Sequence, residues 1–435
     1  MIFNPKMECM PREEMRKLQG ERLQAMVQRC YDKVPFYRKK MDRLGITPDD
    51  IQSIDDIVKL PFTTKFDLRD EYPYGLQAVP MSDVRRIHAS SGTTGKPIVV
   101  TYTENDLNMW SEAVARVMAA GTVGPGDIIQ VSYGYGLFTG GLGAHDGARK
   151  LGAVQLPTSA GNSEKQIMMM QDMGATALAC TPSYALHLTE CIERSEKVNI
   201  NKMRLRCGFF GAEPWTEGMR KELESKLHIK AYDIYGLTEM SGPGVGGECE
   251  MQDGTHLWED MFYPEIVHPD TLEPCEPGEF GELVFTSLCK EAMPIIRYRT
   301  RDLTRLIYDK CSCGRTAVRM DRILGRSDDM LIVRGVNVFP SQIEAILTEF
   351  PVFTPHYFIT VDRKGNEDMF DLDVELHMEY FSPNPSKQMP FIKPLYDRIV
   401  SVVGIKPNIH IKEPNSIQRS IGKAKHVNDK RNFHS

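Results

Sequence analysis

The 435-residue chain has no apolar run that approaches membrane-spanning length. Residues 1–17 carry Lys6, Glu8, Arg12, Glu13 and Glu14 where a signal peptide would hold its apolar core. A soluble cytoplasmic protein is the expectation, with no membrane partner. A basic block is also missing: 53 lysines and arginines and 59 aspartates and glutamates are spread along the chain, for a net charge of −6. That distribution argues against nucleic acid as a partner. No internal repeat or low-complexity segment stands out, and Met168-Met169-Met170, in a helical stretch, reads as flexible core filling. Ten cysteines without a leader read as reduced thiols and not as a disulfide framework. Cys180, Cys191 and Cys207 sit among apolar residues and read as core.

The chain is 41% hydrophobic, enough to bury a core larger than one ordinary domain. Leu23, Met26, Val27 and Cys30 recur at helical spacing in a charged background, predicting an amphipathic helix laid on the body of the protein. From about Gly126, short apolar runs at 128–131, 154–156, 177–180, 207–210 and 231–235 alternate with helical stretches at 164–173, 184–194 and 217–227. This alternation predicts a largely parallel, layered α/β domain with ligands at the carboxyl ends of its strands. After Gly325 a strand at 330–333, a helix from Pro340, strands at 356–361 and 370–376, a helix at 394–403 and a strand near Ile409 predict a small α+β domain. The expected division is 1–327 and 328–435.

Ser90-Ser91-Gly92-Thr93-Thr94-Gly95-Lys96-Pro97 is the strongest local signal. Alternating hydroxyls and glycines let backbone N–H groups and side-chain donors approach a polyphosphate, and one lysine balances charge. The spacing is not that of the P-loop NTPases, and the composition also suits a surface turn.

This octapeptide resembles the phosphate-binding loop of the adenylate-forming superfamily, which contains acyl-CoA synthetases, luciferases and peptide-synthetase adenylation domains. Further segments resemble that superfamily's motifs in order. Gly211-Ala212-Glu213-Pro214 is similar to its adenine-flanking loop. Tyr235-Gly236-Leu237-Thr238-Glu239 is similar to the motif in which the tyrosine stacks on adenine, the threonine meets the α-phosphate and the glutamate holds Mg2+; Asp233 just before it joins the nucleotide set. Tyr298-Arg299-Thr300-Arg301-Asp302 resembles the segment whose aspartate accepts both ribose hydroxyls. Gly325-Arg326-Ser327-Asp328-Asp329 resembles the interdomain hinge, with Arg326 reaching the nucleotide and Asp328 as pivot. Arg419-Ser420-Ile421-Gly422-Lys423-Ala424-Lys425 resembles the terminal motif whose lysine, here Lys423, bridges the acid and the α-phosphate. The resemblance implies ATP, Mg2+ and coenzyme A as cofactors. It implies Arg334, Gly335 and Val336 on the CoA path, and a homodimer.

Within the superfamily, Leu60-Pro61-Phe62-Thr63-Thr64-Lys65, residues 133–143 and residues 336–344 resemble the shorter phenylacetate–CoA ligase branch. Glycines interleaved with Tyr133, Tyr135 and Phe138 after a strand suit a flat apolar slot for a ring, and equally a buried turn packed by aromatics. The resemblance implies an aryl acid against Tyr135, Gly136, Phe138 and Gly140, with phenylacetate leading and indoleacetate or hydroxyphenylacetate as alternatives. A carrier protein could replace free CoA as acceptor, though no carrier domain is appended. A catalytically inactive nucleotide-binding protein is the alternative of another class, opposed by the charge set of Glu239, Asp328 and Lys423.

Cys311-Ser312-Cys313-Gly314 has the tight thiolate spacing of zinc knuckles, and Cys249 with His256 offers a second pair. Four such ligands match a closed structural Zn2+ site; free thiols and an unrelated histidine are the other reading.

Overall fold

The computed structural model describes residues 1–90, 97–195, 198–327, 331–334, 336–364, 367–417 and 426–431. The chain forms two compact units, one of residues 1–180, 191–212 and 228–322, the other of 181–190, 213–227 and 323–435.

The first unit is built on a nine-stranded sheet. Its strands are β1 (Ile128–Val131), β2 (Val154–Leu156), β3 (Ala177–Cys180), β4 (Cys207–Gly211), β5 (Lys230–Leu237), β6 (Gly242–Glu248), β7 (Thr255–Leu257), β8 (Leu306–Ile307) and β9 (Arg319–Met320). Their order is β8-β9-β7-β6-β5-β4-β3-β1-β2. β5, β4, β3, β1 and β2 run parallel, as the alternating pattern predicts, and β6, β7, β9 and β8 extend the sheet antiparallel. The extension escapes the periodicity because β6 is glycine-rich and its neighbours have only two or three residues. From β1 the chain goes first to β2 on one side and then to β3 on the other, so a topological switch lies at the carboxyl end of β1, where residues 133–143 emerge. A second, antiparallel sheet pairs Phe262–Val267, Gly281–Ser287 and Tyr298–Thr304.

Helix Arg12–Lys33 buries Leu23, Met26, Val27 and Cys30, the predicted stripe. Cys180 and Cys207 are buried, whereas Cys191 is only half-buried, because it lies near the end of helix Pro182–Arg194. Helix Glu104–Ala120 starts at a capping box of Thr103 and Asp106, and its alanines and valines are buried. Beside it, helix Thr139–Leu151 presents Gly143 and Gly147, one turn apart, to Trp110 and Val114. A Cβ on Gly147 would lie 2.3 Å from Val114 Cγ1. Glycine weakens a helix by about 1 kcal/mol relative to alanine, and here that cost is offset by the approach of two helix backbones.

In the second unit the sheet order is Asn408–Lys412, Glu367–Leu376, Phe353–Lys364, Val427–Asp429. Ile343, Ile346 and Leu347 from helix Pro340–Leu347 and Leu395 and Ile399 from helix Pro385–Val403 share its core with Tyr357, Ile359, Phe370 and Leu372.

The glycine contact is testable by urea denaturation. Gly147→Ala should lose about 1–3 kcal/mol through overpacking. Gly134→Ala, where a Cβ meets nothing within 4 Å, should change stability by less than about 0.5 kcal/mol.

Candidate functional site

The carboxyl end of β5 carries most of the site. A bulge separates Tyr235 from Gly236 in the pairing with β6, and a Cβ on Gly236 would lie 2.2 Å from the Gly242 carbonyl oxygen. The chain then tightens into a 3₁₀ turn, Thr238–Met240, that buries Thr238 and Glu239. The Tyr235 hydroxyl donates to Asp302 Oδ2 at 2.6 Å, and the Asp302 amide donates to Thr300 Oγ1 at 3.0 Å. The Tyr235 ring stacks on Phe285. Two residues assigned separately to adenine and ribose are thus joined directly. The Asp233 amide donates to Glu248 Oε2 at 2.8 Å, fixing β5 to β6 just upstream.

Glu239 is held from two directions. The Tyr298 hydroxyl donates to its Oε1 at 3.0 Å, and Lys290 Nζ donates to its main-chain carbonyl at 3.2 Å. Burial lowers the Lys290 pKa to about 8, with Asp106 and Glu239 opposing that shift.

Ser90 closes the base of the predicted phosphate loop: its amide donates to the Ile98 carbonyl at 2.8 Å, and the Ile98 amide donates to its Oγ at 3.0 Å. Ser91, Gly92, Thr93, Thr94, Gly95 and Lys96 lie outside the described residues. Just before the loop, the Ala89 amide and His88 Nδ1 both donate to the Leu137 carbonyl, each at 2.9 Å. This fastens the loop's entry strand to the aromatic segment. Just after it, the Tyr102 hydroxyl donates to the Ser241 carbonyl at 3.0 Å, fastening the exit strand to the Thr238–Met240 turn.

In the aromatic segment, Tyr133 is buried and Tyr135 half-buried, its hydroxyl 3.3 Å from His145 Nδ1. Burial pushes the Tyr135 pKa up to about 12. Gly140 lies under Phe138, whose ring a Cβ there would meet at 2.9 Å, while Gly136 faces open space. In the same segment the side chains of Leu137 and Phe138 are exposed.

Gly211 ends β4 so close to β5 that a Cβ would lie 2.2 Å from the Ile234 carbonyl oxygen, and Ala212 has φ +72°. In the second unit, Glu213 Oε1 accepts from the Ser183 amide at 2.7 Å, with Pro214 next to it. Arg326 lies in the short strand Gly325–Arg326. Arg334 Nε donates to the Asp368 carbonyl at 2.7 Å, and Val336 opens strand Val336–Val338. Asp328, Gly335 and Lys423 lie outside the described residues.

Cys249, after β6, His256 on β7, and Cys311 and Cys313 are brought together, with their ligand atoms all within 4.8 Å of one another. Cys249 Sγ is 3.8 Å from Cys311 Sγ, and Cys313 Sγ is 3.4 Å from His256 Nε2. Tetrahedral zinc with bonds of about 2.3 Å to sulfur and about 2.0 Å to nitrogen needs edges of about 3.8 and 3.5 Å, so the donor set fits that ion. Hydrogen bonding from Cys249 draws the Cys313 thiol well below its ordinary pKa, and hydrogen bonding with His256 lowers that of Cys311. The knuckle also holds the start of the chain: Arg315 Nη1 lies 3.6 Å from Cys313 Sγ, and its Nε donates to Glu8 Oε2 at 2.7 Å, both side chains buried.

Sequence reasoning missed His88, Lys290 and Tyr298. Tyr298 heads a quoted motif, but its partner is set by the register between strands. Lys290, between Cys289 and Glu291, has the look of a surface lysine.

The AMP-binding enzyme family matches residues 16–289, and the AMP-binding enzyme C-terminal domain matches residues 335–431. The chain is 51% identical over 437 residues to the phenylacetate-coenzyme A ligase of Escherichia coli (strain K12), covering 100% of this chain and 99% of that protein. It is 52% identical over 382 residues to the phenylacetate-coenzyme A ligase of Thermus thermophilus, covering 88% of this chain and 86% of that one. The crystal structure of 2-hydroxyisobutyryl-CoA ligase in the postadenylation state, in complex with R3-HIB-AMP, is similar with a TM-score of 0.92 at 31% identity, covering 98% of this chain and 92% of that chain.

Arg315→Ala strands the buried Glu8 carboxylate and should lower stability by about 3–5 kcal/mol in urea denaturation at fixed metal content. Adding Glu8→Gln should recover part of the loss, because the stranded charge is gone.

Proposed function

The chain belongs to the AMP-binding enzyme family, among its phenylacetate–CoA ligases, and from that membership we propose that it joins phenylacetate, or a close aryl acid, to coenzyme A through an acyl-adenylate. It is an AMP-forming acid–CoA ligase. Its products are the acyl-CoA, AMP and pyrophosphate. The observation that carries the site assignment is the pair of contacts at the end of β5, Tyr235 to Asp302 and Tyr298 to Glu239. They bring the Tyr235 ring, the Asp302 carboxylate from strand Tyr298–Thr304 and the Glu239 carboxylate together at the end of β5, which supports their assignment to adenine, ribose and Mg2+.

In the first half-reaction a carboxylate oxygen of the acid attacks the α-phosphorus, and the bond to pyrophosphate breaks. Two anions must approach, so the work lies in charge and positioning. The loop of Ser90 to Lys96 is assigned to the phosphates, Thr238 to the α-phosphate, and Lys423 to bridging the acid and the α-phosphate. Gly211 to Pro214 and Tyr235 hold adenine, Asp302 holds the ribose, and Asp233 and Arg326 complete the nucleotide set. Mg2+ suits Glu239: Tyr298 occupies Oε1, and among the described residues no hydrogen bond reaches Oε2. Bound there, the ion would offset the charge that develops on the phosphates. In the second half-reaction the CoA sulfur attacks the acyl carbon and AMP leaves. Asp328 is assigned as hinge and Arg334 to Val336 as the pantetheine path, so that residues 1–327 bind ATP and acid and residues 328–435 serve both steps.

The acid lies against Tyr135, Gly136, Phe138 and Gly140. Such a slot discriminates one methylene or hydroxyl by only about 1–3 kcal/mol. Cys249, His256, Cys311 and Cys313 hold a structural Zn2+. A cytoplasmic homodimer acting in phenylacetate breakdown fits this reading.

Pyrophosphate release across aryl and aliphatic acids, with and without CoA, tests the ligase. Phenylacetate should lead, CoA should be consumed, and Lys423→Ala should lose adenylation by about 10²–10³-fold. If no acid supports release, the protein is a nucleotide binder instead. Metal analysis tests the cluster: protein purified without chelator should hold about one zinc per chain, and Cys313→Ala should lose both the metal and thermal stability. A zinc-free protein from zinc-supplemented medium would rule the site out.

A further inference from the structure

Lys290 is fully buried, yet no carboxylate among the described residues lies within salt-bridge distance of its ammonium. Its described contacts are the main-chain carbonyl of Glu239 at 3.2 Å and the ring of Tyr102, whose centroid is 5.0 Å from Nζ. Trp110 stacks on Tyr102 with centroids 5.2 Å apart, and His88 meets both rings edge-on at 5.5 Å. Tyr102 and Lys290 both reach the turn bearing Thr238 and Glu239, the hydroxyl at the Ser241 carbonyl and the ammonium at the Glu239 carbonyl. The nearby Asp106 does not neutralise the lysine directly. Its carboxylate accepts from the amides of Thr103, Glu291 and Ala292 at 2.9, 2.6 and 2.9 Å, clamping the main chain next to Lys290.

Burying an ion without a direct counter-ion costs stability, and an apolar residue of similar shape is often neutral or better in such a place. A role confined to packing would thus be served by methionine. We infer that Lys290 is a positioning residue for adenylation, whose ammonium pins the main chain of the Thr238–Glu239 turn and sets a fixed positive charge behind it. The inference rests on the assignment of Thr238 and Glu239 to the nucleotide and its Mg2+. A charge fixed before substrate arrives needs no reorganisation when the triphosphate and the acid meet. The thioester step has no pyrophosphate to hold and depends on it less.

The test uses Lys290→Met, Lys290→Gln and Glu239→Gln in the full chain, with four readouts: thermal unfolding, pyrophosphate release, thioester formation from preformed acyl-adenylate, and the Mg2+ concentration for half-maximal adenylation. Lys290→Met should unfold at or above the wild-type temperature while pyrophosphate release falls at least about tenfold and the Mg2+ requirement rises. Thioester formation should stay within about twofold of wild type. Lys290→Gln, which keeps a donor and loses the charge, should show the same pattern. Equal pyrophosphate release and Mg2+ dependence in Lys290→Met, or losses in both half-reactions that track unfolding, would overturn the inference. A Glu239→Gln enzyme with an altered Mg2+ response beside a normal Lys290→Met overturns it alone. A normal response in Glu239→Gln overturns the assignment of Glu239 and this inference with it.

Discussion

The backbones of β5 and β6 meet at Gly236 and Gly242 in a space that admits no side chain. Besides the carbonyl contact at Gly236, a Cβ on Gly242 would lie 2.6 Å from Trp110 Cζ2 and 2.7 Å from Thr139 Cβ. Because the strands come this close, the chain leaves β5 in a tight turn, and Thr238 and Glu239 are buried beside the crossing. Trp110 closes over the same point, donating its indole N–H to the Pro243 carbonyl at 2.9 Å. The helix that carries Trp110 is then free to pack on the glycines of helix Thr139–Leu151, which begins where the aromatic segment ends. One crowded crossing thereby sets the Thr238–Met240 turn and the start of the helix that follows the aromatic segment.

A turn fixed by sterics still has to hold charge. Glu239 and Asp302 are both buried, and each accepts a hydrogen bond from a tyrosine hydroxyl. At Glu239 a neutral donor on one oxygen leaves the carboxylate's charge in place, whereas a direct arginine would neutralise it. The contrast with Arg297 is instructive: its Nη2 meets Glu265 Oε1 at 2.9 Å and its Nη1 donates to two carbonyls, a closed arrangement that suits structure. Near the turn the positive charge is set behind the main chain, at Lys290, where it biases the site without occupying it.

The parallel half of the sheet was legible because each of its strands is a short apolar run followed by helical spacing, a pattern that only a few topologies satisfy. The antiparallel half was not, since Gly242, Gly244, Gly246 and Gly247 read as loop until their pairing with β5 and β7 is known. The same division runs through the site. Tyr235, Glu239 and Asp302 could be nominated from their order along the chain, because each motif is local. Tyr298, His88 and Lys290 could not, because each acts on a partner from another segment: Tyr298 on the turn after β5, His88 on Leu137, Lys290 on Glu239. The four metal-ligand candidates sat between these cases. The spacing of Cys311 and Cys313 was legible, but Cys249 and Cys311 are 62 residues apart, and only the pairing of β7 with β6 and β9 joins them.

That placement also explains why a metal would be useful there. β8 and β9 have two residues each and β7 has three, too few for ladder hydrogen bonds and side-chain burial to fix them firmly. Yet β6 depends on them for its outer edge, and β6 carries Glu248, which fixes Asp233 on β5. Four ligand bonds from Cys249, His256, Cys311 and Cys313 would tie β6, β7 and the loop before β9 at one point. The Arg315–Glu8 pair then extends that point to the first residues of the chain. On this argument zinc does no chemistry in the reaction. It would supply rigidity that short strands lack, close to β5, whose carboxyl end carries Tyr235 and leads into the turn of Thr238 and Glu239.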